Sequence, residues 1–293
     1  MKNKDTAIRR RNSFRQFREV FFGRGAIVWI SLFIVIMFAV LAVFAPLIAP
    51  YSPTSIDPLH AYAPMFTKGH FLGSDRYGRD VLSRLIYGAR TSMTCSLLSS
   101  IWACIVGSAL GILAGFYEGM TGKVITRLVD AQLSIPGLIL SMTLAAILGQ
   151  NIIAIAVVIG IGSIPGYVRM AYSSVLSLKE NDFITASRLV GQRKLAIMAR
   201  HLLPNCFAPL IVIFTMSLGQ SIMIESSLAY LGVGLCEPTP AWGMMVSDGF
   251  HVLTTYPTLA LLPGFCIMMI VVAFNVLGDG LRDALDPKLR GKL

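Results

Sequence analysis

Charged residues along this chain stand in clusters separated by long stretches that have none. Charge-free windows cover residues 26–48, 91–117, 131–168 and 249–278, and a fifth, residues 206–236, holds a single charge, Glu225. A helix rises about 1.5 Å per residue, so roughly 20 apolar residues cross a hydrocarbon core about 30 Å thick. The 131–168 window is too long for one helix, and Gly149-Gln150-Asn151 divides it at a tight turn into a hairpin of two short helices. The pattern predicts six transmembrane helices and an all-α polytopic membrane protein.

The segments between the spans carry patterns of their own. Residues 50–90 open with Pro50, Pro53, Pro58 and Pro64, then set Val81, Leu82, Leu85 and Ile86 on one face, with Asp80 and Arg84 on another. That spacing predicts an interfacial amphipathic helix leading into the second span. Between spans four and five, residues 169–205 predict a short helix capped by Ser177 or Asn181, with Glu180 and Asp182 near the positive end of its dipole. Phe183, Ile184, Ala186, Ser187, Leu189 and Val190 continue it to Gly191, a left-handed stop. A second helix then restarts with Leu195, Met198, Ala199 and Leu202 on one face and Arg193, Lys194 and Arg200 opposite, until Pro204 ends or kinks it. From the residues alone, such a projection suits either insertion into a groove on a cytosolic partner or a hairpin lying on the membrane surface.

Composition removes whole classes of function. Of 293 residues, 55% are hydrophobic and only 14% charged, against roughly 25% charged in a soluble domain, and the mean hydropathy is +0.70. A soluble enzyme and a soluble nucleic-acid binder are excluded. The formal net charge of +10 reads as basic cytoplasmic loops. With the N-terminus inside, twenty of the 25 Lys and Arg residues fall on inward segments and both termini are cytoplasmic. The first apolar window is longer than a signal-peptide core, which predicts a retained anchor. The basic residues ahead of it contact anionic lipid. The five cysteines show no metal-binding spacing and read as packing residues. Neither the four histidines nor the fourteen methionines form a recognisable ligand pattern, so no metal site is expected.

The run Phe183-Ile184-Thr185-Ala186-Ser187-Arg188-Leu189-Val190-Gly191, followed by Leu203-Pro204-Asn205, resembles the EAA loop of binding-protein-dependent ABC importer permeases. Ala186 and Gly191 match that pattern, whereas Thr185 stands where the family has glutamate and Ser187 where it has the second alanine. Leu72-Gly73-Ser74-Asp75 with Gly78-Arg79-Asp80-Val81-Leu82-Ser83-Arg84, then Glu225-Ser226-Ser227-Leu228-Ala229-Tyr230-Leu231-Gly232, Pro238-Thr239-Pro240-Ala241-Trp242-Gly243 and Leu277-Gly278-Asp279-Gly280-Leu281-Arg282-Asp283 are similar to the dipeptide, oligopeptide and nickel branch, second-permease type. The resemblance implies the type I ABC importer permease fold in a bacterial inner membrane. It divides the chain into a basic cytoplasmic arm (1–25), a first transmembrane helix (26–49), an extracytoplasmic loop (50–90), a five-helix permease core (91–281) containing the coupling loop 173–205, and a cytoplasmic tail (282–293). It implies a second homologous permease, two cytosolic ABC ATPases and an extracytoplasmic solute-binding protein as partners, beside the lipid bilayer. ATP with Mg would be bound by the ATPases, since this chain has no phosphate loop, no cofactor and no catalytic residue of its own. Contact with the ATPase falls by this mapping to Glu180, Asp182, Phe183, Ala186, Ser187, Arg188, Gly191, Leu203 and Pro204. Phe183 would fill an apolar pocket, and Asp182 and Arg188 would pair with polar groups at its rim. The cargo implied is a short peptide, with nickel or a metal chelate as the alternative.

Glu225 is the one charge well inside a predicted span, which assigns it either to the translocation pathway or to a structural hydrogen-bonded role. A proton-coupled secondary transporter would use it as carrier, but such folds show internal repeats and none is evident here. In span four, Gly160, Gly162, Ser163 and Gly166 predict close helix packing, while Pro165 marks a kink at the pathway or a packing residue. Asp130 and Arg169 sit at inner span ends within reach of water, and Trp242 reads as an interfacial anchor.

Overall fold

The computed structural model describes residues 21, 25–117 and 119–285. Most of the basic arm and the end of the tail lie outside these. Helix α1 (Ala26–Val43) breaks at Phe44 and resumes as the single turn α2 (Ala45–Ile48). A long connection follows, whose one helical element is the 3₁₀ turn Pro58–His60. Helix α3 (Val81–Phe116) then runs for 36 residues without a break. Next come α4 (Met120–Leu133), α5 (Gly137–Leu148) and α6 (Ile152–Leu178). The intervening loop holds α7 (Asp182–Leu189) and α8 (Lys194–Ile197), which passes through a π turn, Met198–Leu202, into α9 (Leu203–Tyr230). Helices α10 (Trp242–Phe250) and α11 (Thr258–Leu285) complete the described chain.

Among the described residues, five helical stretches are long and apolar enough to cross a membrane, and α4 with α5, bent by 92°, count as a sixth if the bent pair is one span. The expected hairpin is α5 and α6: Gly149 takes a positive φ of 94° and the Asn151 side chain accepts the Ala154 amide at 2.8 Å. The hydropathy pattern does not predict the second break, between α4 and α5. Pro136 supplies no amide hydrogen and forces the residue before it out of the helical region, so the helix stops at Ser134.

The interfacial amphipathic helix is not found. Residues 81–90 are the first turns of α3 itself, and their apolar face is buried rather than laid on a surface: Val81, Leu85 and Ala89 pack with Phe38, Trp242, Met245 and Ile270. Trp242 is likewise no interfacial anchor. It is fully buried, its Nε1–H donates to the Leu85 carbonyl at 2.9 Å, and its ring meets Phe38 edge-on at 5.2 Å. Asp80 caps α3 by accepting the Ser83 amide at 2.8 Å.

Helices α3 and α6 make the most extensive contact in the molecule, and small residues set its closeness. A Cβ on Gly107 would lie 2.5 Å from Tyr167 Cβ, one on Gly111 2.5 Å from the Val168 carbonyl oxygen, and one on Gly115 2.8 Å from Val175 Cβ. Glycine every fourth residue makes a flat strip on which the facing backbone rests. On the α6 side only Gly160, against Trp102, is equally tight; Gly162 and Gly166 have no neighbour closer than 3.6 Å. Close packing therefore comes chiefly from the α3 strip, not from the α6 cluster. Pro165 is buried within α6, which continues through it as one helix.

Candidate functional site

The loop between α6 and α9 is built on an anchor, a free face and a turn. Asn181 occupies the cap position of α7 in extended conformation, and its carbonyl accepts from the Ile184 amide at 2.9 Å, though its side chain makes no cap bond. Ser177 is not the cap: it lies inside α6 and donates to the Ser174 carbonyl at 2.8 Å. Asp182 opens α7 and Arg188 closes it, each at the dipole end that suits its charge. One side chain, Ile184, is fully buried, and joins Phe116, Val175, Ile197, Met198 and Leu202 in the core that closes one end of the bundle. An eight-residue helix has little stability alone; this apolar anchor fixes it to α3, α6 and α9.

The opposite face is bare. Asp182, Phe183, Thr185 and Ala186 are exposed, and so are Leu189 at 84% and Val190 at 87%. Gly191 has φ 77°, its amide donates to the Arg188 carbonyl at 3.0 Å, and the Gln192 amide donates to the Ser187 carbonyl at 3.1 Å. This is a Schellman stop, and it reverses the chain so that Leu189 and Val190 end up at the tip. The Gln192 side chain then meets His201 Nε2 at 3.1 Å, tying the turn to the π segment.

Asp182, Phe183, Ala186, Ser187, Arg188 and Gly191 are thus brought together within one short helix and its stop, with Glu180 exposed just before it. Leu203 and Pro204 stand apart at the start of α9, where Leu203 lines an apolar groove of about 730 Å³ with Leu195, Met198, Ile105 and Phe207. Leu195 and Ala199 are exposed and Ile197 is buried in their stead, because the π turn re-phases the helix face. The Arg188 guanidinium lies over the Phe116 ring at 5.3 Å, and Lys194 Nζ lies over Tyr117 at 5.4 Å. Sequence reasoning does not single out Ile184 as the anchor; its signal is an apolar residue at the spacing that faces the bundle when Phe183 faces out.

Other features lie along the bundle. A groove of about 820 Å³ runs along α6, α9 and α11, lined by Tyr167, Met170, Ser217, Gln220, Asn275 and Arg282 among others. Neither Pro165 nor Glu225 lines it. Glu225 is fully buried; Ser92 Oγ donates to its Oε2 at 3.1 Å, while its Oε1 has no partner among the described residues. Asp130 and Arg169 are exposed as expected and pair with each other at 3.1 Å.

At the other end of α3 an ion cluster holds the long connection down. Arg79 bonds Asp75 at 2.5 Å and Glu237 at 2.9 Å, Arg76 bonds Glu237 at 3.2 Å and Asp248 at 3.4 Å, and buried Arg84 faces Asp75 at 3.6 Å. Burial disfavours the charge on Glu237, but Arg79 and Arg76 outweigh it and hold the carboxyl below its usual value. For Asp248 burial prevails over Arg76, and its carboxyl is pushed up.

The molecule is a bundle of apolar helices with an open polar-edged groove and a protruding, apolar-tipped loop. The family model described as binding-protein-dependent transport system inner membrane component matches residues 107–291, and that of the N-terminal TM domain of oligopeptide transport permease C matches residues 22–64. The chain belongs to the binding-protein-dependent transport system inner membrane component family. It is 41% identical to a di/tripeptide transport system permease protein of Pseudomonas aeruginosa, over 91% of this chain and 89% of that one. It is 38% identical to a dipeptide transport system permease protein of Haemophilus influenzae (91% and 92%), and 35% identical to a glutathione transport system permease protein of Pectobacterium atrosepticum (96% and 93%). Its fold matches that of a chain of the MetNI methionine ABC transporter in inward-facing conformations, at a TM-score of 0.55 and 18% identity, over 68% of this chain and 97% of that one. The chain is therefore a multi-pass inner-membrane permease of the type I importer fold.

Proposed function

We propose that this chain is the non-catalytic permease subunit of an ATP-driven importer and forms half of the passage for short peptides, with its termini and the α7 loop in the cytoplasm. The observation that carries the reading is α7 itself: one buried anchor, one apolar exposed face and a left-handed stop make a lever that a partner can grip. Leu189, Val190 and half-exposed Phe183 present apolar area to a groove on a cytosolic ABC ATPase, and motion reaches the bundle through Ile184. The groove along α6, α9 and α11 supplies this chain's share of the passage, and a second, similar permease closes it. A solute-binding protein delivers the cargo from the other side. ATP with Mg is handled by the ATPases, whose nucleotide state biases the permease pair between two arrangements. The di/tripeptide, dipeptide and glutathione permeases among its relatives favour a short peptide over nickel or a metal chelate.

The test is uptake of a labelled dipeptide into vesicles holding the reconstituted complex. Import that requires ATP and the binding protein, and that survives collapse of the proton gradient, supports the reading. Import abolished by the uncoupler with ATP present would transfer the chain to the secondary transporters.

A further inference from the structure

The connection from residue 49 to residue 80 has a single three-residue 3₁₀ turn and no disulfide, since the cysteines of the chain all lie elsewhere and are free. A segment this long without regular structure is held by other contacts, and its end near residue 80 has the ion cluster around Arg79. Backbone bonds add to these contacts, such as Asp57 to Tyr77 and Tyr62 to Asp75. Within the segment, Asp57, His60 and His70 come together so that one donor atom of each lies within 4.8 Å of the others. They border a recess of about 210 Å³, shared with Asp80, Tyr51 and Lys68.

The surroundings of both rings are those of a ligand set. His60 Nδ1 is 2.7 Å from Asp57 Oδ2, and His70 Nδ1 is 3.1 Å from Asp80 Oδ1. For His70 the Asp80 carboxylate on Nδ1 fixes the tautomer, leaves Nε2 as a bare lone pair and makes that nitrogen more basic, as metal-binding histidines are held; His60 and Asp57 instead face each other directly, so both of their donors can turn onto one ion. The Asp80 carboxylate is itself fixed, since its Oδ2 accepts from the amide and hydroxyl of Ser83. The His70 ring is buried and wedged between Tyr51 and His60, with centroids at 5.4 and 5.6 Å. Donor atoms in a tetrahedral site with bonds of about 2.1 Å stand roughly 3.4 Å apart, so closing from 4.8 Å asks only for side-chain adjustment of half-exposed Asp57 and His60. Lys68 at the rim is exposed and has a long stem that carries its charge away.

We infer that Asp57, His60 and His70 bind a divalent transition-metal ion of the zinc type, with Asp80 as a positioning residue, and that the ion fastens the connection ahead of α3. Two imidazoles and one carboxylate select a borderline metal over magnesium or calcium, which take oxygen ligands. Sequence spacing alone gives no sign of this set, because its members are brought together by the fold of the loop. Binding of the ion is independent of transport and needs neither cargo nor ATPase.

The experiment uses the full chain in detergent, free of any polyhistidine tag and stripped with chelator, titrated with Zn²⁺. One ion per chain is expected, with affinity lowered at least about tenfold in H60Q and about 10- to 100-fold in D80N, and with X-ray absorption of the bound zinc reporting two imidazole ligands. H60Q changes a half-exposed side chain, so matched circular dichroism will show it folded, and its affinity decides the matter if H70Q does not fold. Absence of saturable one-to-one binding, equal affinity in wild type and H60Q, or bound zinc without imidazole would each overturn the assignment.

Discussion

Gly191 shows most directly how one residue type sets the turn that ends α7. A Cβ there meets nothing within 4 Å, so its requirement is conformational and not spatial: at φ 77° an L side chain is strained. Gly191→Val should cost about 1–2 kcal/mol locally and unseat the tip, while the anchor Ile184 keeps the bundle intact. The expected result is normal membrane insertion with ATPase activity no longer tied to uptake; coupled transport at wild-type efficiency would release Gly191 from the role. Phe183→Asp puts a charge on the exposed apolar face and should reduce recovery of the ATPase with the purified permease several-fold, read by quantitative immunoblot. Gly191 and the run that precedes it are legible in sequence because a helix stop is written locally. The partner of Arg188 is not, since Phe116 lies at the end of a different helix.

Among the elements, α3 is half legible. Its charge-free half announces a span, but the segment before it carries Arg84 and Arg90, and polar spacing there suggests a surface helix. Tertiary partners decide otherwise, for Trp242, Phe38 and the ion cluster bury that face. The strip Gly107, Gly111, Gly115 stands in the sequence at four-residue spacing, yet its meaning emerges only once α6 is laid against it. Gly111→Val forces atoms into the Val168 backbone and should cost at least about 1–3 kcal/mol, seen as a lower thermal midpoint in detergent. The loop clamp should respond to acid. Its Glu237 has a folded-state pKa below the unfolded one, so its contribution is full above the ordinary carboxylate range and fades as pH falls through the depressed value. Asp248 works in the opposite sense, its raised carboxyl regaining stability on protonation. Comparing wild type with E237Q isolates the first: the gap between their thermal midpoints is expected to be widest near neutrality and to close in acid.

For the whole molecule, hydropathy alone yields the class and the five long apolar helices, because a membrane demands length and apolarity that no other solvent does. It does not yield the sharp bend between α4 and α5 or the π turn into α9. Both depend on one or two residues whose effect is felt through packing. Helix α3 spans the scales. At about 1.5 Å per residue its 36 residues form a stiff rod of roughly 54 Å, longer than the roughly 40–45 Å of a bilayer with its headgroups. One tip sits in the Asp80 cap beside Arg84, and the other ends in the ring on which Arg188 rests. A rod of this length has no joint in which to lose travel, so a load that tilts its capped end is expected to swing the Phe116 tip with it.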